Sequence, residues 1–225
     1  NVAASLNNLA ELYLIQGKYS QAELLYKRSL TIMEKALGPE DPYVASALDN
    51  LAKLYDEQRK YADAELLHKR ALAIHEKAEG PAHPNTAMTL INLAQHYRGQ
   101  GKVDQAEALL KRGIPIMEKA LGRENPAVLT AFNNLAVIYD DQRRYAESEP
   151  IYRRVLAIRG KVLGVNHQDV ASTLNNLAEH YQVQERYAEA EPIYKRALTI
   201  LEKKFGADNP SVATSLSNLA LLYQS

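Results

Sequence analysis

The sequence predicts an all-α protein built as a linear array of helix-turn-helix units. The main reason is a strict period. In the recurring phrase Leu-Asn-Asn-Leu-Ala-x-x-Tyr, the second Asn falls at Asn8, Asn50, Asn92, Asn134, Asn176 and Asn218, an interval of 42 residues. A Leu-Ala step follows each time, and Tyr13, Tyr55, Tyr97, Tyr139, Tyr181 and Tyr223 close the phrase. A period sustained over 225 residues marks a repeat architecture, which grows along a line and not around one centre. Within each unit the apolar residues also follow helical spacing and not strand alternation. Lastly, Pro and Gly recur at the joints, where helices start and stop.

The unit Asp41 to Glu79 shows how each element arises. Asp41 is a good N-cap and Pro42 suits the first helical position. Val44, Leu48, Leu51, Ala52 and Tyr55 then keep helical spacing in a first helix, A. The pattern weakens at the polar turn Glu57-Gln58-Arg59-Lys60. Tyr61, Ala64, Leu67, His68, Ala71, Leu72, Ile74 and Ala78 trace a second helix, B. Each helix is about four to five turns long. Gly80 stands where a left-handed C-cap belongs, and the glycine recurs at Gly38, Gly122, Gly164 and Gly206.

Other units keep this scheme with exceptions. The opening proline recurs at Pro84, Pro126 and Pro210, but Gln168 replaces it once, which predicts a less sharply fixed start there. Pro150 and Pro192 are placed near the first turn of their B helices, where a missing N–H costs least. Gly113 and Pro115 fall mid-helix in the third B helix. Two readings stand: a kink, because an interior Pro costs about 3 kcal/mol, or drift at a tolerant outer position.

The repeats run approximately over residues 1–40, 41–82, 83–124, 125–166 and 167–208, with a partial unit at 209–225. That frame predicts about eleven helices: five A–B pairs and a final A helix carrying Val212, Leu216, Leu219, Leu222 and Tyr223 on an apolar face. Natural arrays end in a polar cap, so the expectation is a fragment of a longer protein. The alternative is that the bare end packs against another molecule.

Composition excludes several classes. Lys plus Arg and Asp plus Glu are both 27, so the net charge is zero. Phosphate backbones need clustered cations, so nucleic acid is not an expected partner. There is no Cys, which removes disulfides, thiolate metal sites and Cys nucleophiles. No apolar run approaches membrane-spanning length, and Asn1 opens no signal peptide. A soluble cytoplasmic array without a cofactor is expected.

Leu6, Leu9, Ala10, Tyr13, Ala22, Tyr26 and Ser29 fall at the spacing of the tetratricopeptide repeat signature. The 42-residue length, with Asn175-Asn176-Leu177-Ala178, Tyr187-Ala188-Glu189-Ala190-Glu191-Pro192 and Leu37-Gly38-Pro39, resembles the kinesin-light-chain type, which also occurs in bacterial multidomain regulators. The resemblance implies a right-handed superhelix, an α-solenoid that binds peptides or proteins in a concave groove lined by A helices.

Helix geometry locates the same surface independently. At 100° per residue, Leu6, Leu9, Ala10 and Tyr13 share a packing stripe, while positions 4, 8, 11 and 15 face away from it. Position 8 is always Asn. Position 4 varies through Ser46, Met88, Thr130, Ser172 and Thr214, and position 11 through Lys53, Gln95, Val137, Glu179 and Leu221. An Asn amide both donates and accepts, so the ladder Asn8, Asn50, Asn92, Asn134, Asn176 and Asn218 suits a peptide backbone. The resemblance assigns the Asn slot to ligand backbone or a terminal carboxylate. Lys53 is the main cation beside it, so a strict carboxylate clamp is doubtful. The competing reading has these Asn bonding neighbouring helices to set repeat packing. The first Asn of the pair (Asn7, Asn133 and Asn175, but Asp49, Ile91 and Ser217 elsewhere) is placed at a groove edge.

The remaining polar residues point to no chemistry. Glu23 with Lys27, Glu65 with Lys69 and Glu107 with Lys111 are i,i+4 pairs of a solvated face. His68 and His75 share a helix, but no third ligand at metal spacing accompanies them. His96 and His180 occupy a slot held elsewhere by Leu12, Leu54 and Ile138, which indicates partly buried packing. His83 and His167 read as weak caps, and the Tyr residues as core with a polar tip. There is no phosphate loop, nucleophile elbow or carboxylate pair in a pocket-forming context. The expected role is therefore a non-enzymatic interaction module for an extended peptide or partner domain. The alternative is a structural array that self-associates through uncapped terminal helices.

Overall fold

The structure is a computed structural model and describes residues 2–224. Among these residues it contains eleven α-helices and no strand. The A helices are α1 (Val2–Ile15), α3 (Pro42–Glu57), α5 (Pro84–Gly99), α7 (Pro126–Asp141), α9 (Gln168–Gln182) and α11 (Pro210–Leu222). The B helices are α2 (Tyr19–Leu37), α4 (Tyr61–Ala78), α6 (Val103–Leu121), α8 (Tyr145–Leu163) and α10 (Tyr187–Phe205). The chain divides into two compact units, the first ending at Leu121 and the second beginning at Gly122. Inside each unit, helices touch only those one or two places away in sequence, as in an α-solenoid. No helix among the described residues is long and apolar enough to cross a membrane.

The A helices begin as their caps dictate. Asp41 accepts from the Tyr43 N–H at 2.8 Å, and Asn125 and Asn209 do the same at 2.9 Å, each followed by Pro in the first turn. His83 and His167 cap with Nδ1 at 3.3 and 3.2 Å, as weak caps should. The helix-end glycines depart from expectation. Gly38, Gly164 and Gly206 combine φ of 93°, 91° and 79° with ψ of 155°, 148° and 163°. This is not the left-handed helical cap but the mirror-extended region that glycine alone reaches readily. Pro150 and Pro192 lie in the second turn of α8 and α10, deeper than expected, each costing its helix one hydrogen bond.

In the first unit, Ala10, Ala22, Tyr26, Leu51, Leu54, Tyr55 and Ala64 form one core cluster, and Val44, Ala45, Leu48, Ala71 and Ile74 another. In the second unit, Ala136, Tyr152, Leu177, Ala178, Tyr181, Ala190, Tyr194 and Leu222 play the same part. Small residues set how closely A and B approach. The slot at Ser29, Ala71, Gly113, Val155 and Ala197 is buried in every repeat. The α5–α6 pair, with Gly113, packs most extensively, and the α7–α8 pair, with Val155, least. A Cβ on Gly113 would stand 3.2 Å from the Ala87 carbonyl oxygen and 3.4 Å from Leu90 and Ile91. Gly113 is therefore not drift at an outer position but a point of close backbone approach. Pro115 is exposed, and α6 runs on through it from Val103 to Leu121.

Four of the tyrosines that close the A-helix phrase place their polar tip on a glutamate. The hydroxyls of Tyr55, Tyr97, Tyr181 and Tyr223 donate to Glu23, Glu65, Glu149 and Glu191 on the preceding B helix, at 3.2, 3.1, 2.8 and 2.9 Å. The i,i+4 pairs form as expected, with Lys27 and Lys69 reaching Glu23 and Glu65 at 2.7 and 2.6 Å.

Candidate functional site

The face of the A helices opposite the packing stripe is open within each unit. Ser46, Met88, Thr130, Ser172 and Thr214 are exposed, as are Lys53, Gln95, Glu179 and Leu221, while Val137 is half-buried. Between α9 and α11 this face encloses a recess of about 650 Å³. Ser172, Asn176, Glu179, Thr214 and Asn218 line it, together with Asn175, Asp169 and the α10 residues Leu201 and Phe205. In the first unit the same face carries two smaller recesses. One, of about 120 Å³, is lined by Ser46, Asn50, Lys53, Met88 and Asn92; the other, of about 360 Å³, by Lys53, Asp56, Tyr61, Asn92, Gln95 and His96.

The Asn ladder is not uniform. Asn8 is exposed, and Asn50, Asn134, Asn176 and Asn218 are half-buried. Asn92 is only 7 % exposed and donates to Asp49 at 3.2 Å, so it is held in the wall by its neighbour. Asn134 Nδ2 is buried with no hydrogen-bond partner. The first-Asn slot is not uniform: Asp49, Ile91 and Asn133 are buried, while Asn7 and Asn175 are half-buried and Ser217 is exposed. Asp49 and Asn175 each line a recess of the open face. Asn133 Oδ1 is buried and unpartnered, while Asn175 accepts from Ser215 of the next A helix at 3.3 Å.

A polar cluster that the sequence did not reveal lies under the 360 Å³ recess. His68 bridges two carboxylates, Nδ1 to Asp49 at 2.7 Å and Nε2 to Asp56 at 3.2 Å. His96 Nδ1 meets the other Asp56 oxygen at 2.6 Å. Asp49 also accepts from Thr89 at 2.6 Å. The Gln100 amide contacts His96 Nε2, and Glu65 lies 3.8 Å from the same nitrogen. Both imidazoles are buried, with ring centroids 5.7 Å apart, while Asp56 keeps 22 % side-chain exposure toward the recess. Burial pushes the His68 pKa down, but the hydrogen bonds and charges of Asp49 and Asp56 outweigh it and hold it above the ordinary value.

The expectation that His68 lacks a further ligand is thereby corrected. Asp56, His68 and His96 bring one potential ligand atom each to within 4.8 Å of one another. The missing partner comes from the next repeat, not from His75, which bonds Glu79 instead. His96 fills a core slot, but as a hydrogen-bonded group and not as a packing isostere of Leu. The 42-residue frame held the signal. Asp56, His68 and His96 depart together from Leu14, Tyr26 and Leu54 at the equivalent slots.

The family model described as tetratricopeptide repeat matches residues 1–77, 67–119, 85–161, 127–182 and 169–225. Among solved structures, one is a Podosopora anserina protein of nearly identical TPR-like repeats, assigned as a kinesin light chain. It is 27 % identical with a TM-score of 0.70, covering 90 % of this chain and 96 % of that one. BtubC (BKLC) from P. vanneervenii is 25 % identical with a TM-score of 0.74, covering 93 % and 85 %. A Rap protein complexed with Competence and Sporulation Factor shares the fold at 15 % identity, with a TM-score of 0.74, covering 97 % and 62 %. No curated protein sequence matches the chain.

Proposed function

Because the chain belongs to the tetratricopeptide repeat family, in its kinesin-light-chain-like type, we propose that it binds an extended peptide or partner segment along the open face of its A helices. Chains of this family are in general scaffolds for protein–protein interaction. The observation that carries the finer reading is the 650 Å³ recess, walled by position-4 and position-8 residues of two consecutive A helices: Ser172 and Asn176 of α9, Thr214 and Asn218 of α11. Polar side chains that can both donate and accept suit the backbone of an extended segment. Leu201 and Phe205 at its edge offer apolar surface for a side chain of that segment. Lys53 and Gln95 line the matching surface of the first unit. No catalysis is proposed.

The test begins by selecting a peptide from a displayed random library on the full chain. Affinity is then measured by calorimetry for the wild type and for the double variant Asn176→Ala, Asn218→Ala. A loss of about tenfold or more, equivalent to about 1.4 kcal/mol, is expected with an unchanged melting temperature. Equal losses of affinity and stability would assign these Asn to repeat packing. In contrast, Asn92→Ala should lower stability, since its amide is bonded to Asp49. A second reading, self-association, draws on the exposed Leu216, Leu221 and Tyr223 of α11 and its C-cap. Light scattering across a concentration series separates the two, and a strict monomer removes the second.

A further inference from the structure

We propose that Asp56, His68 Nε2 and His96 Nδ1 form a binding site for a divalent transition-metal ion of the zinc class. The inference is independent of the peptide-binding reading. Two imidazoles and one carboxylate are a donor set that such ions favour over calcium or magnesium. Around a tetrahedral ion with bonds of about 2.0–2.1 Å, neighbouring ligand atoms stand about 3.3 Å apart. His68 Nε2 and Asp56 Oδ2 are already 3.2 Å apart, and all three ligand atoms lie within 4.8 Å of one another.

The surroundings match what metal-bound imidazoles need. A ligating His donates its other ring N–H to an outer partner, which fixes the tautomer. Asp49 fills that role for His68, accepting from Nδ1 at 2.7 Å, and is itself held by Thr89 and Asn92. For His96 the partner is Gln100, against Nε2. When His96 Nδ1 gives its lone pair to the ion, Nε2 carries the proton and the Gln100 amide turns its oxygen to receive it. Exchanging the two ends of an amide needs no backbone movement. Asp49 and Asp56 supply two negative charges for a divalent cation. Asp56 and His96 also line the 360 Å³ recess, from which a water could serve as the fourth ligand.

The second unit contains a natural control. Asp140, Tyr152 and His180 stand two repeats, 84 residues, after Asp56, His68 and His96. His180 Nδ1 bonds Asp140 at 2.7 Å, but Tyr152 takes the place of the second imidazole and donates its hydroxyl to Asp140 at 3.0 Å. One imidazole and one carboxylate do not make a site of this class.

The full chain, untagged and stripped with chelator, is titrated with zinc chloride by calorimetry and with cobalt(II) chloride by visible absorption. One equivalent of zinc should bind, and cobalt should show the intense bands of a tetrahedral site. Long-range nitrogen NMR of the wild type should show zinc shifting His68 Nε2 and His96 Nδ1 while leaving His180 in place. His68→Tyr and His96→Leu install residues that sister repeats carry at these slots, and each should abolish saturation. Asp49→Asn should weaken it about 10–100-fold, and His180→Leu should leave it unchanged. Absence of saturable zinc binding overturns the proposal, as does binding that survives both His68→Tyr and His96→Leu. Should either variant unfold by circular dichroism, the wild-type nitrogen spectra decide alone.

Discussion

The two units place almost the same residues around their third and fifth A helices, yet reach different local chemistry. Around His96 stand Asp56, Tyr61, Glu65, Tyr97 and Gln100; around His180 stand Asp140, Tyr145, Glu149, Tyr181 and Gln184. The decisive change is His68 to Tyr152. An imidazole has two polar atoms on opposite edges and can join two acceptors; a phenol has one hydroxyl. His68 therefore links Asp49 to Asp56, whereas the Tyr152 hydroxyl donates to Asp140 and the buried Asn133 oxygen is left without a partner. Ser148, where the first unit has Ala64, adds its hydroxyl to Asp140 and His180. Three exchanges, Asp49 to Asn133, Ala64 to Ser148 and His68 to Tyr152, thus separate a two-carboxylate network from a one-carboxylate cluster.

The strongest test is to convert one unit into the other. The triple variant Asn133→Asp, Ser148→Ala, Tyr152→His reproduces the first unit's residues in the second, and zinc stoichiometry should rise from one equivalent to two. Next in size, Asp49→Ala strips partners from buried His68, Thr89 and Asn92 at once. Urea unfolding should show a loss of about 3 kcal/mol. Asn133→Ala at the matching slot should cost less than about 1 kcal/mol, because its oxygen bonds nothing. Equal losses would erase the distinction between the two networks.

The packing slot separates the units as well. Gly113→Val forces α5 and α6 apart against the Ala87 carbonyl, and a cost of about 1–3 kcal/mol is expected. The second unit accommodates Val155 at that slot by packing α7 and α8 less extensively.

The smallest effect is in acid. Burial raises the Glu149 pKa, but hydrogen bonds from Tyr181 and Arg153 and the Arg153 charge outweigh it and hold the carboxyl at about 2. A depressed carboxyl contributes stability above its unfolded pKa of 4.5 and loses it as pH falls toward 2. Glu149→Gln should flatten the stability profile in that window by about 1 kcal/mol, after screening at this partly exposed pair. Unfolding curves at several pH values measure the difference.

The fold was almost entirely legible in the sequence, because Asp41-Pro42, Asn125-Pro126 and the helix-end glycines fix helix boundaries locally. The open stripe was legible too, since helical rotation places positions 4, 8 and 11 opposite the core. Depth was not. Asn92 and Asn176 occupy the same slot and both line recesses, but Asn92 is almost buried and bonded to Asp49, whereas Asn176 is half-buried. That difference depends on the side chain one repeat earlier, which spacing along a single helix does not show. The Asp56–His68–His96 cluster escaped for the same reason. Its members come from three helices of two repeats, and each alone looks like an ordinary variation of a core position.

The tyrosine-to-glutamate bonds that tie α3, α5, α9 and the end of α11 to the preceding B helix bear on how the molecule responds to pulling. Neighbour-only attachment gives no long-range clasp inside a unit. A steady force on the chain should peel helices from an end one repeat at a time. The extension trace should then rise in regular teeth, with the tallest tooth in the first unit where His68 joins Asp49 to Asp56.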